Sequence, residues 1–197
     1  KVQYQVHDLR DFTNDRHRTV DEKPFGGGAG MVLKPEPVFK CVEALRPKGY
    51  VILLSPRGRP LTHRLAACLA RKKHLVFICG HYEGVDERVS EKLGDEEISV
   101  GDFVTMGGEA PALCVIESVV RLIPGVLGNP DSLKVESFSA SHLESAQYTR
   151  PQVFRGLEVP RVLVSGNHSE IQAWREQESR RLTRERRPDL LKKSTKK

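Results

Sequence analysis

The sequence predicts an α/β domain on a mostly parallel sheet, and three observations predict it. Two apolar runs of buried-strand type, YVILLSP (50–56) and LVFIC (75–79), each end at a proline or glycine. Segments of helical spacing, residues 61–72 and 82–93, alternate with them. A third short β-branched run, Ile98 to Val100, meets Gly101 and is followed by the long apolar segment 110–123. Strands alternating with helices imply β-α-β crossovers and parallel pairing. Ligands in such sheets gather at the carboxyl ends of the strands. Here those ends are Leu54-Ser55-Pro56, Cys79-Gly80-His81 and Val100-Gly101, and they point to one site.

Taken in order, the chain opens on alternating Val2, Tyr4 and Val6, the pattern of a half-exposed strand. Residues 8–37 are polar and charged and include GGGAG (26–30). A structureless loop of that length in a compact domain is usually functional or mobile. Val38, Phe39, Val42 and Leu45 mark a helix before the first buried strand. After the apolar segment 110–123, residues 129–155 are weakly patterned and read as a linker. A short apolar run (159–164) precedes SGNHS (165–169), whose residues suit the cap of a last helix over about 170–183. The expected organisation is a domain over 1–128, a linker over 129–155 and a small, mainly helical domain over 156–197.

Composition narrows the function classes. With 38% hydrophobic and 29% charged residues the chain reads as soluble. No run reaches the ~18 apolar residues of a membrane span, and no signal peptide opens it. Cys41, Cys68, Cys79 and Cys114 are widely spaced within apolar runs, the pattern of buried, reduced thiols in a cytoplasmic protein. The net charge of +6 is concentrated at the C-terminus, where residues 175–197 hold ten Lys/Arg against four Asp/Glu. That tail, including Lys192, Lys193, Lys196 and Lys197, suits a phosphate-binding surface.

The stretch EISVGDFVTMGGE (97–109) is central to the reading. Glycines on both sides of a short β-branched stretch suggest a tight loop that presents its backbone to a small molecule. Close backbone approach is expected at Gly107 and Gly108, where a side chain would fill the cleft or strain the loop, since glycine alone adopts φ > 0 freely. Glu109 and Pro111 suit the first turn of a helix. Neither G-x-x-x-x-G-K-[ST] nor a strand-linked G-x-G-x-x-G is present, which sets aside the phosphate loop and the ordinary dinucleotide fold.

FGGGAGM, LLSPRGR, CGHYEGVDERV, EISVGDFVTMGGE, RLIPGVLG, QYTRP and VLVSGNH occur in this order. Together they resemble the bacterial tRNA (guanine-N1)-methyltransferase family of the SPOUT superfamily. That resemblance implies a sheet with helices on both faces and a deep trefoil knot. It also implies a homodimer with shared active sites, S-adenosyl-L-methionine as methyl donor, and tRNA with guanine at position 37 as substrate. It leaves a requirement for Mg²⁺ open and brings no protein metal site. The cofactor would lie on Leu54, Ser55, Pro56, Gly80, Glu83, Val100, Gly101, Asp102, Phe103, Val104, Thr105, Gly107 and Gly108. Asp21, Gly26, Gly27 and Gly28, with Tyr148, Arg150, Asn167 and His168, would meet RNA, while Glu136 and Arg121 would be catalytic. The structural alternative for Asn167 is a helix cap.

Four departures from the family pattern stand out. Its general-base aspartate is Glu136 here, one methylene longer, and the glutamine of its LSPQG motif is Arg57, an extra cation near the cofactor. Its H-Y-T-R-P begins with Gln147, and it carries a further strand and helix ahead of residue 1, so the chain is expected to be part of a longer one. Because position 136 is altered, a weak or inactive relative that binds RNA or cofactor is the alternative reading.

Overall fold

The computed structural model describes residues 2–129 and 132–191. The basic residues Lys192, Lys193, Lys196 and Lys197 lie outside the described residues. The chain divides into two compact units, 1–128 and 129–197.

In the first unit a two-residue strand β1 (Asp21–Glu22) pairs antiparallel with β2 (Val32–Leu33). Helix α1 (Pro35–Ala44) starts on Pro35, whose fixed φ and missing N–H suit a first turn. Then follow β3 (Tyr50–Pro60), α2 (His63–Leu69), β4 (Leu75–Cys79), α3 (Glu87–Lys92), β5 (Glu96–Ser99) and α4 (Glu109–Val120). Thr62 caps α2 by accepting the Leu65 N–H at 3.2 Å, and Asp86 caps α3 by accepting that of Arg88 at 3.0 Å.

The sheet is three-stranded and wholly parallel, in the order β4-β3-β5. Side chains of β3 alternate across it. Ile52 and Leu54 pack with Leu65 and Leu69 of α2 and Val115 and Val119 of α4. Val51 and Leu53 face the other way, onto Val38 of α1 and Val89 of α3. With both faces covered, the middle strand is continuously apolar from Tyr50 to Leu54, and turns polar and exposed only in the continuation beyond.

Two expectations fail in this unit. Residues 2–6 form no strand, because no neighbouring strand pairs with them, and Val6 is exposed. Alternation alone cannot supply a partner. Cys68 and Cys114 are exposed and Cys79 is half-buried, while Cys41 alone of the four is buried. Cys68 lies on α2 and Cys114 on α4, and helical rotation turns each away from the sheet although its sequence neighbours face it. All four are free thiols.

In the second unit a short helix α5 (Ser132–Val135) is followed by the hairpin β6 (Val153–Phe154) and β7 (Leu157–Glu158). Arg155 and Gly156 turn the hairpin with φ of 50° and 79°. Both central residues are left-handed, the geometry that matches strand twist. A 3-10 turn at Arg161–Val164, the 19-residue helix α6 (His168–Arg186) and a further 3-10 turn at Pro188–Leu191 follow.

Candidate active site

Register brings the three predicted strand ends together. Leu54 pairs with Cys79 of β4 and with Ile98 of β5. Residues 55–58 then bulge out, and β3 rejoins β5 with Arg59 opposite the same Ile98. A Cβ on Gly58 would stand 2.5 Å from the Ile98 nitrogen and 2.6 Å from the Glu97 carbonyl carbon, so the close return requires glycine. Ser55 Oγ accepts the Arg57 N–H at 3.1 Å and stiffens the bulge.

The glycine-framed loop after β5 folds back onto the end of β4. Gly108 N–H donates to Gly80 O at 2.8 Å, and His81 forms an antiparallel bridge with Gly107. Thr105 Oγ1 donates to Gly107 O at 2.7 Å, and Ser99 Oγ donates to Gly101 O at 2.9 Å while accepting the Gly101 N–H. Of the two effects expected of a side chain here, backbone strain at positive φ does not apply. Gly108 has φ −79°, and Gly107 is not among the positive-φ glycines. Close approach is the reason for glycine. A Cβ on Gly108 would lie 2.7 Å from Cys79 Cα and 2.9 Å from Gly80 N. On Gly107 it would meet side-chain atoms of Glu109 and His81, whose carboxylate and imidazole pair at 3.0 Å.

Glu83 adjoins this corner through the turn in which Gly84 N–H donates to His81 O at 3.0 Å. Its own N–H donates to Met31 O, also at 3.0 Å. The end of the first loop is thereby fastened beside the β4 end. At the tip of that loop Gly26, Gly27 and Gly28 have φ of 85°, 79° and 121°, with open space where each Cβ would be. Asp21 lies at the base, paired with Leu33. Phe103, Val104 and Met106 are exposed, so the 101–108 loop turns its larger side chains outward.

One departure acquires a structural setting. Arg57 does not stand as a bare cation. It pairs with Glu87 at 2.8 Å and lies 3.6 Å from Glu97, whose Oε1 is buried and accepts no hydrogen bond. Cys79, at the strand end, has its thiol pushed up to about 11 by burial first and by the Glu109 charge second.

Arg121 is not brought to this corner within one chain. It follows the last residue of α4, whose 12 residues begin at the Gly108 junction. At ~1.5 Å per residue, the two ends of that helix are roughly 18 Å apart.

The remaining predicted residues belong to the second unit. Asn167 does cap α6, its Oδ1 accepting the Glu170 N–H at 3.4 Å and the Ser169 hydroxyl at 2.7 Å. His168 is the first residue of that helix. Tyr148 and Arg150 line a groove of about 430 Å³ together with Gln147, Leu163, Ile171 and Arg175. The Tyr148 ring is tilted against Trp174 with centroids 6.3 Å apart. Arg175 and Trp174 carried no functional signal in the sequence beyond helical spacing. Glu136 begins a compact loop in which Ser139 Oγ donates to its carbonyl at 2.8 Å.

Backbone-lined loops converging at the strand ends of a parallel α/β unit make the kind of place where ligands bind in open sheets of this type. Comparison with known proteins narrows this. The model of the family described as tRNA (Guanine-1)-methyltransferase TrmD matches residues 1–193. The chain is 54% identical over 198 residues to the tRNA (guanine-N(1)-)-methyltransferase of Dehalococcoides mccartyi, covering 98% of this chain and 80% of that protein. It is 54% identical over 195 residues to the protein of the same name from Bacillus subtilis, covering 97% and 80%. With that of Brevibacillus brevis it shares 56% over 194 residues, covering 98% and 80%. The chain belongs to the tRNA (guanine-1)-methyltransferase family.

Proposed function

We propose that the protein transfers a methyl group from S-adenosyl-L-methionine to N1 of guanine at position 37 of tRNA, working in the cytoplasm as a homodimer with shared sites. The observation that carries this reading is the convergence of four backbone segments at one sheet end. Leu54 to Pro56, Gly80, Val100 to Thr105 and Gly107-Gly108 are tied together by the Gly108-to-Gly80 bond. Such a corner offers backbone amides and carbonyls to an adenosine and leaves no room for side chains at Gly108. Glu83 and the loop carrying Asp21, Gly26, Gly27 and Gly28 adjoin it. When bound, S-adenosylmethionine supplies a methyl on a sulfonium, whose S–C bond breaks as the N1–C bond forms.

Guanine N1 carries a proton at neutral pH, so its lone pair is blocked until that proton leaves. The Glu136 carboxylate takes it, and the charge that shifts toward O6 is stabilised by Arg121. Glutamate and aspartate have similar reference pKa values, ~4.3 and ~3.9, so the substitution changes reach and not proton affinity. Tyr148, Arg150, Asn167 and His168 face RNA in this reading, and the basic tail adds phosphate contacts that position without selecting a base.

The roughly 18 Å run of α4 between the cofactor corner and Arg121 supports a site completed by a second copy. So do the exposed apolar side chains of Phe103, Val104, Met106 and Leu113 at and beside the loop. The knotted path expected of the superfamily is supported by β3 passing Ile98 twice and by the return of residues 101–108 to Gly80. The test is methyl transfer to tRNA transcripts with guanine or adenine at position 37, with Mg²⁺ present or chelated. Transfer to the guanine transcript alone is expected. Binding of tRNA and cofactor without transfer would instead identify a binding module.

A further inference from the structure

The loop that begins with Glu136 is held from the far half of α6, and the hold is made by hydroxyl groups. Within the loop, Phe138 N–H donates to His142 O at 2.8 Å and Glu144 N–H donates to Ser137 Oγ at 3.1 Å. Phe138 and Ser141 take left-handed φ of 73° and 58°, which closes the segment on itself. Its other end docks on the helix. Leu143 N–H donates to Thr183 Oγ1 at 2.9 Å, and Ser179 Oγ donates to Leu143 O at 2.6 Å. Both polar groups of one backbone residue are therefore met by two hydroxyls one helical turn apart.

A threonine inside a helix commonly donates to the carbonyl four residues back, and Thr183 does so to Ser179 O at 2.7 Å. Thr183 also accepts from a residue 40 positions away in sequence while being 0% exposed. A buried hydroxyl with both capacities used fixes geometry more tightly than apolar contact, because its partners have direction. Around it Leu182 and Ser145 are buried, and the Arg187 guanidinium lies 5.5 Å from the Phe138 ring centroid.

We infer that Thr183 and Ser179 are positioning residues for Glu136. They anchor Leu143, the loop 136–144 transmits that anchor, and the longer glutamate side chain is thereby set at the distance its chemistry needs. The inference rests on the reading of Glu136 as the base. A misplacement of about 1 Å at a reacting group can cost ~10²-fold in rate, so the anchor has leverage.

The experiment is single-turnover methylation of tRNA at saturating cofactor. Thr183→Val keeps the shape and leaves the Leu143 N–H without its partner. It should slow the reaction about tenfold or more, with S-adenosylhomocysteine affinity unchanged, and Thr183→Ser should restore the rate. On a Glu136→Gln background, the valine substitution should change the residual rate by less than about twofold, since groups acting as one unit are not additive. Ser179→Ala improves helix propensity, so folding is retained even where valine at 183 disturbs it, and it too should slow the chemical step. Normal rates in Thr183→Val and Ser179→Ala, or equal slowing with and without the Glu136 carboxylate, would overturn the inference. A Glu136→Gln variant of normal rate removes the base assignment itself and this inference with it. A slow Glu136→Gln beside normal Thr183→Val and Ser179→Ala removes the inference alone.

Discussion

The two units solve the problem of order by different means. Among the described residues every buried apolar side chain but Leu182 lies in residues 1–128, spread over both faces of the β4-β3-β5 sheet. The second unit buries Ser145 and Thr183 beside that one leucine, and α6 carries ion pairs such as Arg181 with Glu178 and Glu185 along its surface. Exposed pairs of this kind each contribute only ~0.2–1 kcal/mol. The first unit is therefore held by area removed from water, which is undirected and cumulative. The second is held by a few directed hydrogen bonds. The proposed ligand pocket made of backbone suits the first, and the proposed presentation of a base by the loop at Glu136 suits the second.

That contrast can be broken most severely at Glu136. Glu136→Gln keeps shape and removes the proposed base, and single-turnover methylation should fall ~10²-fold or more. Calorimetric titration of S-adenosylhomocysteine should give the wild-type affinity, because the proposed cofactor corner belongs to the other unit. Weakened cofactor binding would show the two roles are not separable.

Gly108→Ala makes the opposite cut. Its Cβ would have to displace the backbone of Cys79 and Gly80. Cofactor affinity should drop at least ~tenfold, about 1.4 kcal/mol. Binding of tRNA through the second unit should survive in a filter assay. Gly107→Ala should be milder, since movable side-chain ends of Glu109 and His81 are what it meets.

The smallest effect is a sharpening by pH. Burial holds the folded Cys79 thiol neutral up to about 11, well above a free cysteine. Iodoacetamide at pH 8 should therefore label Cys68 and Cys114, which are exposed, well before Cys79. The sign for stability follows from the raised folded value. The thiol costs the fold nothing below the unfolded pKa near ~8.5, and the fold weakens as pH climbs from there toward about 11. Peptide mass mapping reads the labelling, and equal rates at Cys79 and Cys68 would refute the burial.

Legibility in the sequence follows the same division. The strands β3 and β4 were readable because the part of a strand covered on both faces is apolar. The continuation of β3 past Pro56 to Pro60 was not, because its residues are mostly polar and exposed. The loop at 97–109 was readable as backbone-presenting, and close approach at Gly107 and Gly108 was expected, but the accompanying left-handed strain is not there. Close approach and left-handed φ leave the same letter in a sequence, and only the contact with Cys79 separates them. Residues 2–6 misled because alternation describes one strand and not its partner. Cys68 and Cys114 misled because a run of apolar letters hides which of them a helix turns outward. The hold on Leu143 within the segment read as a polar linker was not legible, because it comes from hydroxyl-to-backbone bonds with Ser179 and Thr183. Such bonds have no periodicity to betray them.

The tight return of β3 past Ile98 has a consequence for inheritance. Every codon one base away from a glycine codon encodes glycine, a residue with a Cβ or a stop. At position 58 any such Cβ would begin 2.5 Å from the backbone of the neighbouring strand. The position has no neutral neighbours to drift through. An inhibitor that gripped the backbone of residues 55–58 would be facing a target from which escape by mutation at Gly58 first costs the sheet.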